Sequence, residues 1–191
     1  MSESIKVQKK KAFSAYHMML GAARAALEDA ETKAPGWFYA ELMALTMAAL
    51  AIEAICNAVG ERVIEKWKDF ESSSPIAKLR VICARLEIPF DEKTEPWATA
   101  RWIGKLRNEL AHAKPELVKE EYTWSREEYE KREREGPKSK LEKQITLGHA
   151  RRAVREVQNL KDLICDAVPV DARLGLYSEA WTGSATTEPG A

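Results

Sequence analysis

From about Val7 to Glu31 the larger apolar residues Phe13, Tyr16, Leu20 and Leu27, with Ala23 and Ala30 between them, recur at steps of three and four. That spacing predicts a long first helix with one inward stripe. Ala34-Pro35-Gly36 breaks it. A second helix, from Trp37 to about Val59, is apolar on nearly every side and belongs in the middle of a bundle, with Gly60 placed to bend or end it and Glu61 to Phe70 reading as an amphipathic extension. Ser74 as N-cap and Pro75 at the first helical position open a third helix through Leu79, Ile82 and Leu86, which Pro89 closes. Pro96 starts a fourth, with Trp97, Ala100, Ile103, Leu106 and Leu110 inward, and Pro115 limits its length. The last long helix carries Leu147, Ala150, Val154, Val157, Leu160, Ile164 and Val168 at the same steps.

Between the fourth and last helices the pattern disappears. Residues 119–143 hold eight acidic and eight basic side chains in 25 positions, which leaves little to bury and predicts a solvated excursion. Inside it Ser125 and Glu128 have capping-box spacing ahead of a short charged helix that Gly136-Pro137 ends. After Pro169 the chain drifts into Gly, Ser, Thr and Ala, and Thr182 to Ala191 contains no large apolar residue, so a flexible tail over 169–191 is expected. No alternation strong enough for a strand is evident. The expectation is an all-α, up-and-down bundle of four to five main helices over residues 1–168, with the charged helical excursion before the last one.

A chain of 191 residues suits one domain with a sizeable core. Its 30 basic and 30 acidic residues cancel, so the summed field offers no general attraction to nucleic acid or to an anionic membrane, and any RNA contact must come from a local patch. Cys56, Cys83 and Cys165 lie far apart among apolar helical residues and read as core residues of a reduced compartment. The N-terminus has no apolar stretch after its charges and is no secretory signal. The most apolar segment, Leu42 to Ile52 between Glu41 and Glu53, is short of the roughly 20 residues of a membrane span. A cytoplasmic protein without membrane contact is expected.

His17, His112 and His149 show no metal-ligand spacing, and the cysteines add none, so neither metal nor cofactor is expected. The concentrated signal is Arg107-Asn108-Glu109-Leu110-Ala111-His112, in the last turns of the fourth helix. Asn108 and His112 are four apart on one helical face, and Arg107 starts about 140° from His112, a gap that its long stem can cover. The negative end of the helix dipole favours an imidazolium at His112, which can take and give a proton. Arg107 can bind a phosphate through two parallel N–H donors. The plainer reading is a helix cap or a surface ion pair. Glu53 and Asn57, four apart in the apolar second helix, need partners and either reach Arg107 or satisfy one another. Trp97 and Trp102 read as packing residues, His17 as interfacial and His149 as surface. Arg151, Arg152, Arg155 and Lys161, with Lys9, Lys10 and Lys11, form either a basic surface or a solvated face.

The string Leu106 to Pro115 and the order of helices resemble the HEPN superfamily, the higher eukaryote and prokaryote nucleotide-binding domains. Glu53-Ala54 with Asn57, and Pro75 with Lys78-Leu79, look like it too, and the layout extends over roughly residues 10–168. The resemblance implies a four- or five-helix bundle, a homodimer with the two motifs facing one another, and metal-independent RNA cleavage in a toxin–antitoxin, phage-defence or RNA-processing role. Arg107 would stabilise the phosphate, Asn108 orient it or hold the histidine, and His112 act as general acid or base, with the 2′-hydroxyl of RNA as nucleophile. An antitoxin or regulatory protein is an implied partner. Toxins of this kind that work with a nucleotidyltransferase often have Tyr two places after the His, where this chain has Lys114. The alternatives are a non-catalytic HEPN module that binds a nucleotide or a protein, and a plain helical scaffold.

Overall fold

A computed structural model describes residues 4–32, 34–178 and 180–188. In chain order its elements are β1 (Ser4–Ala12), α1 (Ala15–Glu31), α2 (Trp37–Val63), α3 (Pro75–Arg85), α4 (Trp97–His112), α5 (Arg126–Arg132), α6 (Leu147–Ala167) and β2 (Ala180–Glu188), with short 3-10 turns at Trp67–Phe70, Glu142–Gln144 and Val170–Ala172. The architecture is mainly helical, as the periodicity predicts.

α2 is the axis. It packs against α1, α3, α4 and α6, and α6 closes the other side by packing on α1 and α4. The core is where the stripes meet: Tyr16 and Leu20, Leu45, Ile52, Ile55 and Val59, Leu79 and Ile82, Ile103 and Leu106, and Leu160 and Ile164 are all at most 3% exposed. The Ser74 hydroxyl accepts from the Ala77 N–H at the start of α3, and Ser125 and Glu128 cap α5 reciprocally, both as their spacing predicts. Gly60 does not end α2, which runs on to Val63. Its role is spatial, because a Cβ there would lie 2.4 Å from the Trp67 ring that packs flat against it.

α2 runs well beyond the stretch bounded by Glu41 and Glu53 at both ends. Among the described residues it alone is long and apolar enough to cross a membrane, with a window of mean hydropathy 1.9, and half of that window is buried inside the bundle.

The two ends of the chain depart from the expected pattern. Val7–Ala12 does not extend the first helix. It belongs to β1, which pairs antiparallel with β2 from Ser4 opposite Glu188 to Ala12 opposite Ala180. Phe13 accordingly falls outside α1 and is exposed. Nor does residue 169 begin a loose tail. Leu176 is fully buried, the Tyr16 hydroxyl donates to its carbonyl, and Arg173 donates to the carbonyls of Val168 and Asp166. The segment lacks a helical stripe because it is held through backbone groups, which periodicity does not report. Of the expected tail, residues 179 and 189–191 lie outside the described residues.

Candidate functional site

Four side chains from three helices meet beside the second half of α2. Glu53 and Asn57 are one turn apart on one face of that helix. Opposite them, the Ser74 cap and Pro75 set the first turn of α3 so that Lys78 points inward, where it is 1% exposed. Its ammonium donates to Glu53 Oε1 and to Asn57 Oδ1, each at 3.1 Å. The other carboxylate oxygen of Glu53 accepts from Arg107 Nη2 at 3.0 Å, and Arg107 Nη1 donates to Asn108 Oδ1 at 2.9 Å. Glu53 therefore reaches Arg107 while Asn57 does not. Asn57 instead anchors Lys78.

Lys78 and Arg107 bring two positive charges against the one negative charge of Glu53. The cluster keeps a net positive charge, and it keeps it with Arg107 only partly buried. A guanidinium has five N–H donors. Two of Arg107's are used here, and the remainder can meet an anion.

His112 lies in the last turn of α4, exposed, and makes no hydrogen bond among the described residues. It lines an open cleft of about 510 Å³ together with Asn108, Glu109, Lys114, Glu116, Lys140 and Leu141. Asn108 also lines a smaller cleft with Arg107, Arg101 and Lys105, so it stands between the Arg and the His. The charged excursion supplies one wall of the His112 cleft. It is fastened to α4 through Gln144, which donates to Glu109 at 3.2 Å and accepts from Trp102 Nε1 at 3.3 Å.

The remaining sequence candidates serve packing. Trp97 is buried. Trp102 is half-buried, with the His149 ring 4.8 Å away and the Arg152 guanidinium 5.9 Å from its centre. His149 is less of a surface residue than its position suggests, since its Nδ1 also pairs with the Gln144 carbonyl at 2.7 Å. The His17 ring packs at a tilt against Tyr16, 4.3 Å between centroids, and pairs with the Gly175 carbonyl. Arg151, Arg152, Arg155 and Lys161 are each matched by a carboxylate, from Glu31, Glu95, Glu156 and Asp162. Burial pushes the thiols of Cys56 and Cys165 up and that of Cys83 to about 12, so all three are core residues rather than nucleophiles. Among the described residues no group of three His, Cys, Asp or Glu side chains could hold a metal ion.

Lys78 enters the sequence reading only through the resemblance, with Pro75 and Leu79, and not as a site residue. Its signal is a charged residue one position before Leu79 and four before Ile82, on the inward stripe of a short helix, where a lysine is tolerated only if a carboxylate meets it.

Among the described residues one stripe of α2, running through Tyr39, Leu42, Met43, Thr46, Leu50 and Ala54 to Glu53 and Asn57, is incompletely covered: Tyr39, Met43 and Asn57 are exposed and the others half-buried. Tyr39 and Met43 are 71% and 52% exposed. Leu42, Thr46 and Leu50 share a cleft with Arg107, Leu110 and Ala111. The expectation that α2 is enclosed on nearly every side therefore fails along this stripe, which borders the Arg107 cluster. Comparison with protein-family models, with curated proteins and with solved structures finds no match to the chain.

Proposed function

We propose that this protein is a metal-independent endoribonuclease of HEPN type, working as a homodimer on RNA in a toxin, defence or RNA-processing role. The observation that carries the reading is the fixed Arg107, tied to Glu53 and Asn108, with His112 one helical turn beyond Asn108 and open to a cleft. An arginine held from behind by a carboxylate loses little further freedom when it meets a phosphate, and the cluster's surplus positive charge favours the anion. In the proposed reaction the 2′-oxygen of one nucleotide attacks the adjacent phosphorus, the bond from phosphorus to the 5′-oxygen breaks, and His112 takes a proton from the nucleophile or gives one to the leaving oxygen. Arg107 neutralises charge on the phosphate, and Asn108 keeps the guanidinium turned toward it. The products are a 2′,3′-cyclic phosphate and a 5′-hydroxyl. No protein nucleophile is called for.

The incompletely covered stripe of α2 supports a second copy as its cover, since an apolar strip next to a polar cluster is a common form of interaction surface. Facing copies would bring two Arg107/His112 pairs to one cleft.

The test is cleavage of a mixed RNA pool in EDTA by the parent protein, by Arg107→Ala and by His112→Ala, at matched purity and oligomeric state. Cutting that both substitutions abolish, with cyclic phosphate ends, is the expected result. No cutting, or cutting indifferent to both, transfers the reading to a non-catalytic module that binds a nucleotide or a partner protein. One observation favours that second reading: two of Arg107's donors are already engaged within the chain.

A further inference from the structure

β1 and β2 form a two-stranded ribbon that no other described element covers. Every side chain from Ile5 to Lys11, and from Trp181 to Thr186, is exposed. A lone ribbon is marginally stable in water, and one bare on both faces is poised for a partner.

Its chemistry indicates which partner. Lys6, Lys9, Lys10 and Lys11 fall within β1, and the two strands contain no acidic residue before Glu188. In a chain of zero net charge this is a concentrated basic arm. The register sets Lys10 opposite Thr182 and Gln8 opposite Ser184 on one face, and Lys11 opposite Trp181 on the other, beside Lys9. On α6 each basic residue named above is paired with a carboxylate, whereas Lys9 and Lys10 make no ion pair among the described residues. Trp181 is 67% exposed and presents its indole on the face that carries Lys9 and Lys11.

The arm also has a route to the Arg107 cluster. Phe13, at the foot of β1, lines an open groove of about 520 Å³ whose other residues include Leu50, Glu53 and Asn57. Glu53 is the residue that holds Arg107. A strand seated at Arg107 would reach the ribbon by crossing this mostly apolar groove, whose charged lining is Glu53, Glu61 and Arg62.

Resting on the reading of RNA as substrate, we infer that the β1–β2 ribbon is an RNA-binding arm that grips a single-stranded segment flanking the one at Arg107, with Trp181 stacked on a base and Lys9 on a phosphate at the same face, and Lys10 reaching a neighbouring phosphate round the free edge of β1. A single strand fits better than a duplex, because the major groove of A-form RNA is too deep and narrow for a ribbon. Stacking on an exposed aromatic requires an unpaired base.

The test is the binding of a fluorescein-labelled, fully 2′-O-methylated single strand to the full chain, followed by anisotropy across a salt series. This probe lacks the 2′-hydroxyl, so binding is read without cutting. Lys9→Gln/Lys10→Gln is expected to weaken binding about tenfold and to flatten the dependence of log affinity on log salt by about 1.4, from two lost phosphate contacts. Trp181→Ala is expected to weaken binding about tenfold with the salt slope unchanged. Circular dichroism and melting identical to the parent will show that both variants fold. Variants that bind as the parent does, or a parent that does not bind the strand, overturn the inference. So does a ribbon variant whose only change is in elution volume, which would assign the ribbon to contact between protein chains. A parent that binds through the ribbon but cuts no unmodified RNA would sink the catalytic reading and leave the arm standing. A parent that cuts, with binding indifferent to the ribbon, would do the reverse.

Discussion

Glu53 and Arg107 stand 54 positions apart in the chain and 3.0 Å apart in the fold, joined by one carboxylate oxygen while the other holds Lys78. One side chain thus orients two cations, and the Lys78 anchor decides which way it faces. Replacing Lys78 by Met should cost about 1–3 kcal/mol of stability, because Glu53 and Asn57 both lose their partner. Under the proposed ribonuclease reading it should also lower cleavage, because Arg107 then has the whole carboxylate to bind. Adding Glu53→Leu in the same chain should return much of the stability without returning cleavage. Urea denaturation and single-turnover cutting of the three variants check this. Full cleavage in Lys78→Met would remove Lys78 from any positioning role.

Glu41 is 2% exposed, and its Oε2 has no hydrogen-bond partner among the described residues. Burial raises its carboxyl above the ordinary value of 4.5, with the Leu147 backbone and Lys138 acting in the opposite sense. The folded state therefore binds this proton more tightly than the unfolded state does. The group costs stability at neutral pH, and the cost fades as pH falls through the raised value toward 4.5. Glu41→Gln should raise the melting temperature by about 2–4 °C at neutral pH, if relieving the charge is worth about 1 kcal/mol. Near pH 4 the parent and variant should melt together. An equal gain at both pH values would mean that the charge is not the cause.

Gly60 leaves no room for a methyl group beneath Trp67. Gly60→Ala, which favours a helix by propensity, should nevertheless destabilise by about 1–3 kcal/mol through displacement of the indole. Trp67 fluorescence should change with it. A stabilised variant would show that the ring moves aside at no cost.

The incompletely covered stripe of α2 gives a direct test of self-association. Met43→Glu places a charge on an exposed position and should leave the fold intact, with melting changed by no more than about 0.5 kcal/mol equivalent. Under the proposed dimer it should shift sedimentation from dimer to monomer and remove cleavage. A parent that already sediments as a monomer would end the dimer proposal.

Tyr16 is fully buried, and its hydroxyl holds the Leu176 carbonyl, clamping the approach to β2. Tyr16→Phe should cost about 1 kcal/mol or somewhat more, since it leaves a buried carbonyl unpaired. Amide exchange should accelerate in Ala180–Glu188 and much less in α2. Uniform acceleration would indicate that the two regions unfold as one unit.

What the chain determined by itself was local. Steps of three and four placed the inward stripes of the helices, because 3.6 residues per turn is a property of neighbouring positions. Ser74-Pro75 and Ser125 with Glu128 marked helix starts, because caps satisfy donors within three residues. The same locality made Arg107, Asn108 and His112 legible, since all three lie on one helix. Tertiary structure decided whatever needed distant segments to meet. The ribbon forms because both chain ends are brought to one side of the bundle, 160 residues apart at the Tyr16–Leu176 clamp, and its strands carry no pattern that distinguishes them from polar linkers. Lys78 acquires its meaning only when α3 presses it against Glu53. The incompletely covered stripe of α2 looks like the rest of that helix in sequence, because composition records how apolar a face is and packing alone decides whether it is covered.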